Sequence, residues 1–155
     1  ALINWLSVFD NLALPLRETT NMSHAEIRER VMHVLELVQM TAAEAKLPAE
    51  ISGGMQKRVG LARALVTEPN IILYDEPEAG LDPEMSSSVS HTMRRLKEEH
   101  GMTSVTVTHS VSCALTVADT LAVFEHGHFL ISGPPTEVLN SDLPRVREFL
   151  GAQLD

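Results

Sequence analysis

The sequence predicts an α/β fold, and three features carry that prediction. Two short runs read as buried strands, capped amphipathic helices stand before, between and after them, and a late alternating segment folds back on itself. Taken in order, the stretch from Val8 to Val38 is a helical region. Within it Ser23 and Glu26 form an S-x-x-E capping box, and Ile27, Val31, Val34, Leu35 and Val38 recur at helical spacing. Residues 41–51 lose that period and contain Pro48, so they read as a connection into Ser52-Gly53-Gly54. A helix starts there, runs through Met55, Val59, Ala62 and Val66, and stops before Pro69. Ile71 to Tyr74 is a continuous apolar run, as expected of a parallel strand buried on both faces. Asp82 as N-cap and Pro83 at the first helical position open the next helix, which Gly101 ends. Thr103 to Thr108, rich in β-branched residues, reads as a second buried strand, and Ser110 caps the helix after it. Leu121 to Glu125 and His128 to Ser132 flank His126-Gly127 as a hairpin, and two short helices near 136–139 and 144–150 close the chain.

Composition narrows the function. With 12 Lys and Arg against 21 Asp and Glu in 155 residues, the formal charge is −9. Duplex nucleic acid and anionic membrane surfaces are met by basic patches, so no nucleic-acid partner is expected. Cys113 is the single cysteine, which excludes an internal disulfide and any multi-cysteine metal site and fits a reducing, cytoplasmic setting. The most apolar long stretch, Val105 to Phe124, carries His109, Asp119 and several hydroxyl residues, so it is no membrane span. The opening Ala1 to Phe9 lacks both a basic n-region and a cleavage signal and reads as an interior cut.

In open α/β sheets ligands bind beyond the carboxyl ends of the strands. After the first strand come Asp75 and Glu76, where one carboxylate can hold Mg²⁺ while the other orients or deprotonates an attacking water. After the second comes His109, whose imidazole can hydrogen-bond a phosphate oxygen or the same water. Ser52-Gly53-Gly54 opens a helix, and a helix N-terminus with glycines admits a phosphate close to its backbone N–H groups. Each feature alone is equally an acidic turn, a capping histidine or an ordinary turn; the weight lies in the combination.

Ile51-Ser52-Gly53-Gly54-Met55-Gln56-Lys57-Arg58, Leu61-Ala62-Arg63-Ala64-Leu65, Ile71 through Asp75-Glu76-Pro77, Gly80-Leu81-Asp82-Pro83 and Thr108-His109, in this order and spacing, resemble the nucleotide-binding domain of ABC ATPases. The resemblance implies a P-loop NTPase-like parallel sheet with an inserted helical subdomain, and ATP and Mg²⁺ as cofactors. It implies a signature motif at Ser52, Gly53, Gly54 and Met55 that meets an ATP held by a second ATPase subunit, in a homodimer. Asp75 is similar to the Walker B aspartate on the metal, Glu76 to the catalytic carboxylate, His109 to the switch-loop histidine and Asp82 to the D-loop aspartate. Glu78 departs from the family pattern, standing where Thr or Ser is frequent, and Ser110 follows His109 where an acid is usual.

No G-x-x-x-x-G-K-[ST] and no Gly-Lys dipeptide occurs in the sequence. The chain is therefore expected to be the C-terminal portion of a longer ATPase, a partial fold lacking the N-terminal Walker A part and inactive alone. Its expected divisions are a helical subdomain over 1–68, a RecA-like core over 69–133 and a helical tail over 134–155. Asn11 to Glu18, the Met55-Gln56-Lys57-Arg58 variant of the signature and Pro144 to Leu150 resemble the ATPase subunits of Mce- and Mla-type lipid transporters. That narrower resemblance implies membrane permease subunits and an Mce-type lipid-binding protein as partners, and a place on the inner face of the cytoplasmic membrane. The alternatives are another importer-type ABC ATPase, or a soluble ABC ATPase associated with ribosomes or DNA.

Overall fold

The computed structural model describes residues 2–154, so Ala1 and Asp155, the outer bounds of the expected domain, lie outside the described residues. The first half is helical: α1 (Val8–Thr19), α2 (His24–Leu37) and α3 (Gly53–Leu65). Local chemistry sets their starts. Ser7 accepts from the Asp10 N–H ahead of α1, and Ser23 and Glu26 form the complete capping box ahead of α2. The connection before α3 contains two single 3₁₀ turns, Thr41–Ala43 and Pro48–Glu50, because Pro48 pre-sets a helical φ that the following residues do not propagate. Asn11 is fully buried and closes the N-terminal loop. Its amide donates to the carbonyls of Ile3, Leu6 and Ser7, while its carbonyl oxygen accepts from the Ile3 N–H at 2.7 Å.

The second half follows the expected alternation. β1 (Ile71–Asp75) and β2 (Thr103–Val107) pair in parallel, with Asp75 level with Val107, and α4 (Pro83–His100) is the crossover between them. After α5 (Val111–Val117) come β3 (Leu121–Glu125) and β4 (His128–Gly133), an antiparallel hairpin with a register shift between Val123 and Phe124. Its turn places His126 and Gly127 at φ +47° and +83°, the left-handed pair a tight hairpin requires. α6 (Pro135–Leu139) and α7 (Pro144–Leu154) complete the chain.

One apolar core joins α1 to α4 and takes in Ile72 of β1 and Val117 of α5; a smaller one gathers Val111, Val138, Val146 and Leu150 with inward residues of the hairpin. The hairpin forms a second two-stranded sheet of its own. One expectation changes. The strands are not buried on both faces: Ile72 is buried, whereas Ile71 and Leu73 are exposed. The helices cover one face of the strand pair, and no described element covers the other. Among the described residues no helix is long and apolar enough to cross a membrane.

Candidate functional site

The site forms where β1 and β2 end side by side. Asp75 closes β1 with an exposed carboxylate. Glu76 follows at φ +46°, a left-handed conformation that is costly for a residue with a Cβ, and its N–H donates to the Val107 carbonyl at 2.9 Å. That bond carries the ladder one residue past the strand and fixes Glu76 beside the loop after β2. There the His109 Nδ1 lies 2.5 Å from the Glu76 carboxylate. His109 is mostly exposed, while Glu76 is about two-thirds covered. The Lys57 ammonium donates to the Glu76 carbonyl at 3.3 Å, tying the second turn of α3 to the strand end.

The turn after Glu76 is built by backbone bonds from Ala79 N–H to the Glu76 carbonyl and from Leu81 N–H to the Glu78 carbonyl. Gly80 takes φ +76° within it. Glu78 is buried at 6% exposure, and one of its carboxylate oxygens accepts a hydrogen bond from the Thr108 hydroxyl. The same hydroxyl accepts from the Ser110 N–H at 2.9 Å, so Glu78 and the loop carrying His109 are coupled through Thr108. Beneath them the Cys113 thiol is pushed up to about 11. Burial is the main cause and the Glu78 and Glu76 carboxylates add to it, while a hydrogen bond with Ser90 opposes the rise.

Ser52 caps α3, its hydroxyl accepting from the Met55 N–H at 3.3 Å. The first N–H groups of the helix, at Gly53 and Gly54, have no intrahelical partner. The two glycines have different reasons to be glycine. A Cβ on Gly53 would rest at ordinary contact, 3.6 Å from Leu81, whereas one on Gly54 would meet the Met85 sulfur at 2.7 Å. Gly54 is thus a packing requirement against the start of α4, and only Gly53 of the pair is exposed. Asp82 caps α4 by accepting from the Met85 N–H at 2.9 Å. Met55 is half-buried against the main core.

Of the expected residues, then, Asp75, Glu76 and His109 meet at the strand ends. Ser52, Gly53, Gly54, Met55 and Asp82 cluster where α3 starts against the start of α4. Asp75 presents oxygen chemistry suited to Mg²⁺, and the helix terminus presents N–H groups suited to a phosphate. Sequence reasoning noted Glu78 only as added charge and missed its burial, its bond to Thr108 and the Lys57 contact. No local signal marks these contacts, because they join residues 30 and 19 positions apart in the chain.

The family model described as ABC transporter matches residues 1–79. The probable ribonucleotide transport ATP-binding protein mkl of Mycobacterium leprae is 44% identical over 153 residues, covering 99% of this chain and 44% of that protein. The sulfate/thiosulfate import ATP-binding protein CysA of Photorhabdus laumondii is 43% identical, over 97% of this chain and 43% of its own length. The intermembrane phospholipid transport system ATP-binding protein MlaF of Haemophilus influenzae is 37% identical over all of this chain and 59% of its own length. The chain therefore spans roughly half the length of such relatives. A dimeric structure of the ATP-binding cassette MJ0796 in a post-hydrolysis state, bound to ADP and Pi, superposes with a TM-score of 0.74 at 32% identity, over 86% of this chain and 58% of that one.

These matches correct the sequence reading twice. The family match lies on residues 1–79, the N-terminal half, and begins at the first residue. The description of the chain as a C-terminal, Walker-A-less portion of a partial fold, inactive alone, is therefore withdrawn. The missing Gly-Lys dipeptide carries no conclusion about completeness or activity. The relatives also belong to several ABC systems, so the specific resemblance to Mce- and Mla-type lipid transporters is withdrawn as well. The residues that suggested it have structural roles: Asn11 closes the N-terminal loop, Arg145 bridges Glu125 and Glu148, and Arg147 pairs with Asp142.

Proposed function

We infer, from the premise that the chain belongs to the ABC transporter family, that its strand-end carboxylates and the Ser52 helix terminus serve ATP hydrolysis. The observation that carries this reading is the convergence of Glu76 and His109, 2.5 Å apart, at the carboxyl ends of two parallel strands. Asp75 would hold Mg²⁺, which supplies charge neutralisation on the phosphates. Glu76 is the water-activating carboxylate. Its position is fixed by the ladder bond to Val107 and by Lys57, and its left-handed backbone is the kind of strain retained at working sites. His109 holds the Glu76 carboxylate in orientation from the adjacent loop. Ser52, Gly53 and Gly54 present hydroxyl and N–H donors to a phosphate, and the resemblance assigns that phosphate to the opposite subunit of a dimer. Asp82 stiffens the junction between the two halves of this arrangement.

The partners proposed on this reading are a second ATPase subunit and membrane permease subunits, with the ATPase on the cytoplasmic face. The relatives are named for ribonucleotides, sulfate or thiosulfate, and phospholipids, so they support the shared ATPase chemistry and no single cargo. In the full-length protein, Glu76→Gln is expected to lower turnover by roughly 10²- to 10⁴-fold while nucleotide affinity persists. A turnover assay beside nucleotide-binding calorimetry checks this, and an undiminished rate would remove Glu76 from the mechanism.

A further inference from the structure

We propose that Glu76, Glu78 and His109 form a binding site for a divalent transition-metal ion of the zinc class, separate in its ligands from the Mg²⁺ carboxylate Asp75. One ligand atom from each of the three lies within 4.8 Å of the others. A carboxylate cluster alone would not make a site; Glu78 supplies the independent observation. It is 6% exposed, and its Oε2 has no hydrogen-bond partner among the described residues. A buried carboxylate oxygen without a donor is costly, and a cation satisfies it. The other oxygen of Glu78 accepts from Thr108, the residue before His109, which holds the carboxylate at the loop that carries the imidazole.

The donor set selects the ion. One imidazole nitrogen and two carboxylate oxygens, with water in the fourth position, suit tetrahedral Zn²⁺ or Co²⁺; Mg²⁺ favours an octahedral shell of oxygens. Around an ion with bonds of about 2 Å, tetrahedral ligand atoms stand roughly 3.3 Å apart. The 2.5 Å separation of Glu76 and His109 must therefore open slightly, and a His109 side chain that is 72% exposed can rotate to allow it. An ion held there would occupy the carboxylate assigned above to water activation and suppress hydrolysis, a consequence that rests on that assignment although the site itself does not.

The test is a titration of the purified protein with Co²⁺, followed by visible absorption and then by displacement with Zn²⁺. One Co²⁺ per chain is expected, with the intense absorption of a four-coordinate ion that survives excess Mg²⁺. Glu78→Gln and His109→Gln should each weaken binding by roughly 10- to 100-fold, whereas the double change His126→Ala, His128→Ala should leave it unaltered. Glu78→Gln is isosteric and His109 is exposed, and circular dichroism of both variants verifies the fold. Binding that survives both substitutions, or that disappears with the hairpin histidines instead, overturns the proposal. Zn²⁺ bound at this site with undiminished ATP turnover would leave the metal site standing and overturn the role of Glu76 in hydrolysis.

Discussion

Leu12, Val31, Leu35 and Val59, on three helices of the first half, are 0% exposed, whereas Ile71, Leu73, Val105 and Val107 on the strand pair are 60%, 76%, 54% and 61% exposed. The residue chemistry is alike and the outcome opposite. A helix needs one apolar stripe covered, and α1, α2, α3 and α4 cover one another's. A parallel strand pair carries two apolar faces, of which the helices cover only the one holding Ile72 and Tyr74. The lesson is that apolar sequence in a strand reports a face that can be covered, while helical periodicity reports one that the chain itself covers.

The largest effect that would sharpen this contrast lies in the helical core. Leu35→Ala is expected to cost about 2–5 kcal/mol, whereas Leu73→Thr should stay within about 0.5 kcal/mol. Denaturant midpoints of the two variants measure the difference, and equal losses would erase the contrast. Asn11→Ala should follow at roughly 1–3 kcal/mol, because it leaves part-buried backbone groups of the N-terminal loop without their partner. Asp82→Ala should cost about 1 kcal/mol through the lost cap on α4, readable as a shift in thermal midpoint.

The smallest effects are set by pH. Burial on the covered face pushes the Tyr74 phenol up to about 12 from 10.0. Its contribution to stability is full below about pH 10 and fades as the pH rises toward 12, because the unfolded chain releases the proton first. Tyr74→Phe should flatten that part of a stability profile, and an unchanged slope would place Tyr74 on the open face. At the other extreme, hydrogen bonds from Ser23 hold the Glu26 carboxyl below its ordinary value. The stabilisation it gives α2 is present above about pH 4.5 and lost as the pH falls through the lowered value. Glu26→Gln should mute this loss in acid titrations followed by circular dichroism.

What could be read in the sequence was whatever is decided within a few residues. The Ser23–Glu26 box, the Asp82-Pro83 start, the cap at Ser110 and the His126-Gly127 turn all stand where the pattern put them. The carboxylates and imidazole of the site were legible too, because they follow directly on strand-like runs. Contacts between distant residues were not. Thr108 and Glu78 lie 30 residues apart, and nothing local shows that an acid in a turn will be buried under a hydroxyl. The 3₁₀ turns at Thr41 and Pro48 escaped because single turns have no period to detect. The open face of the strands escaped because a residue pattern does not say which elements will cover it.

On the function proposed above, two faces of one chain, the Ser52 helix terminus and the Glu76 strand end, would serve different ATP sites of a dimer. Mixed dimers of the full-length protein test this most directly, with Ser52→Arg in one subunit and Glu76→Gln in the other. If the faces serve different sites, one site receives both lesions and the other receives none. Each homodimer variant is then expected to be nearly inactive, while the mixed dimer recovers up to about half of normal turnover per dimer. A mixed dimer as inactive as its parents would show that Ser52 and Glu76 act on the same nucleotide within one chain, and would contradict the account.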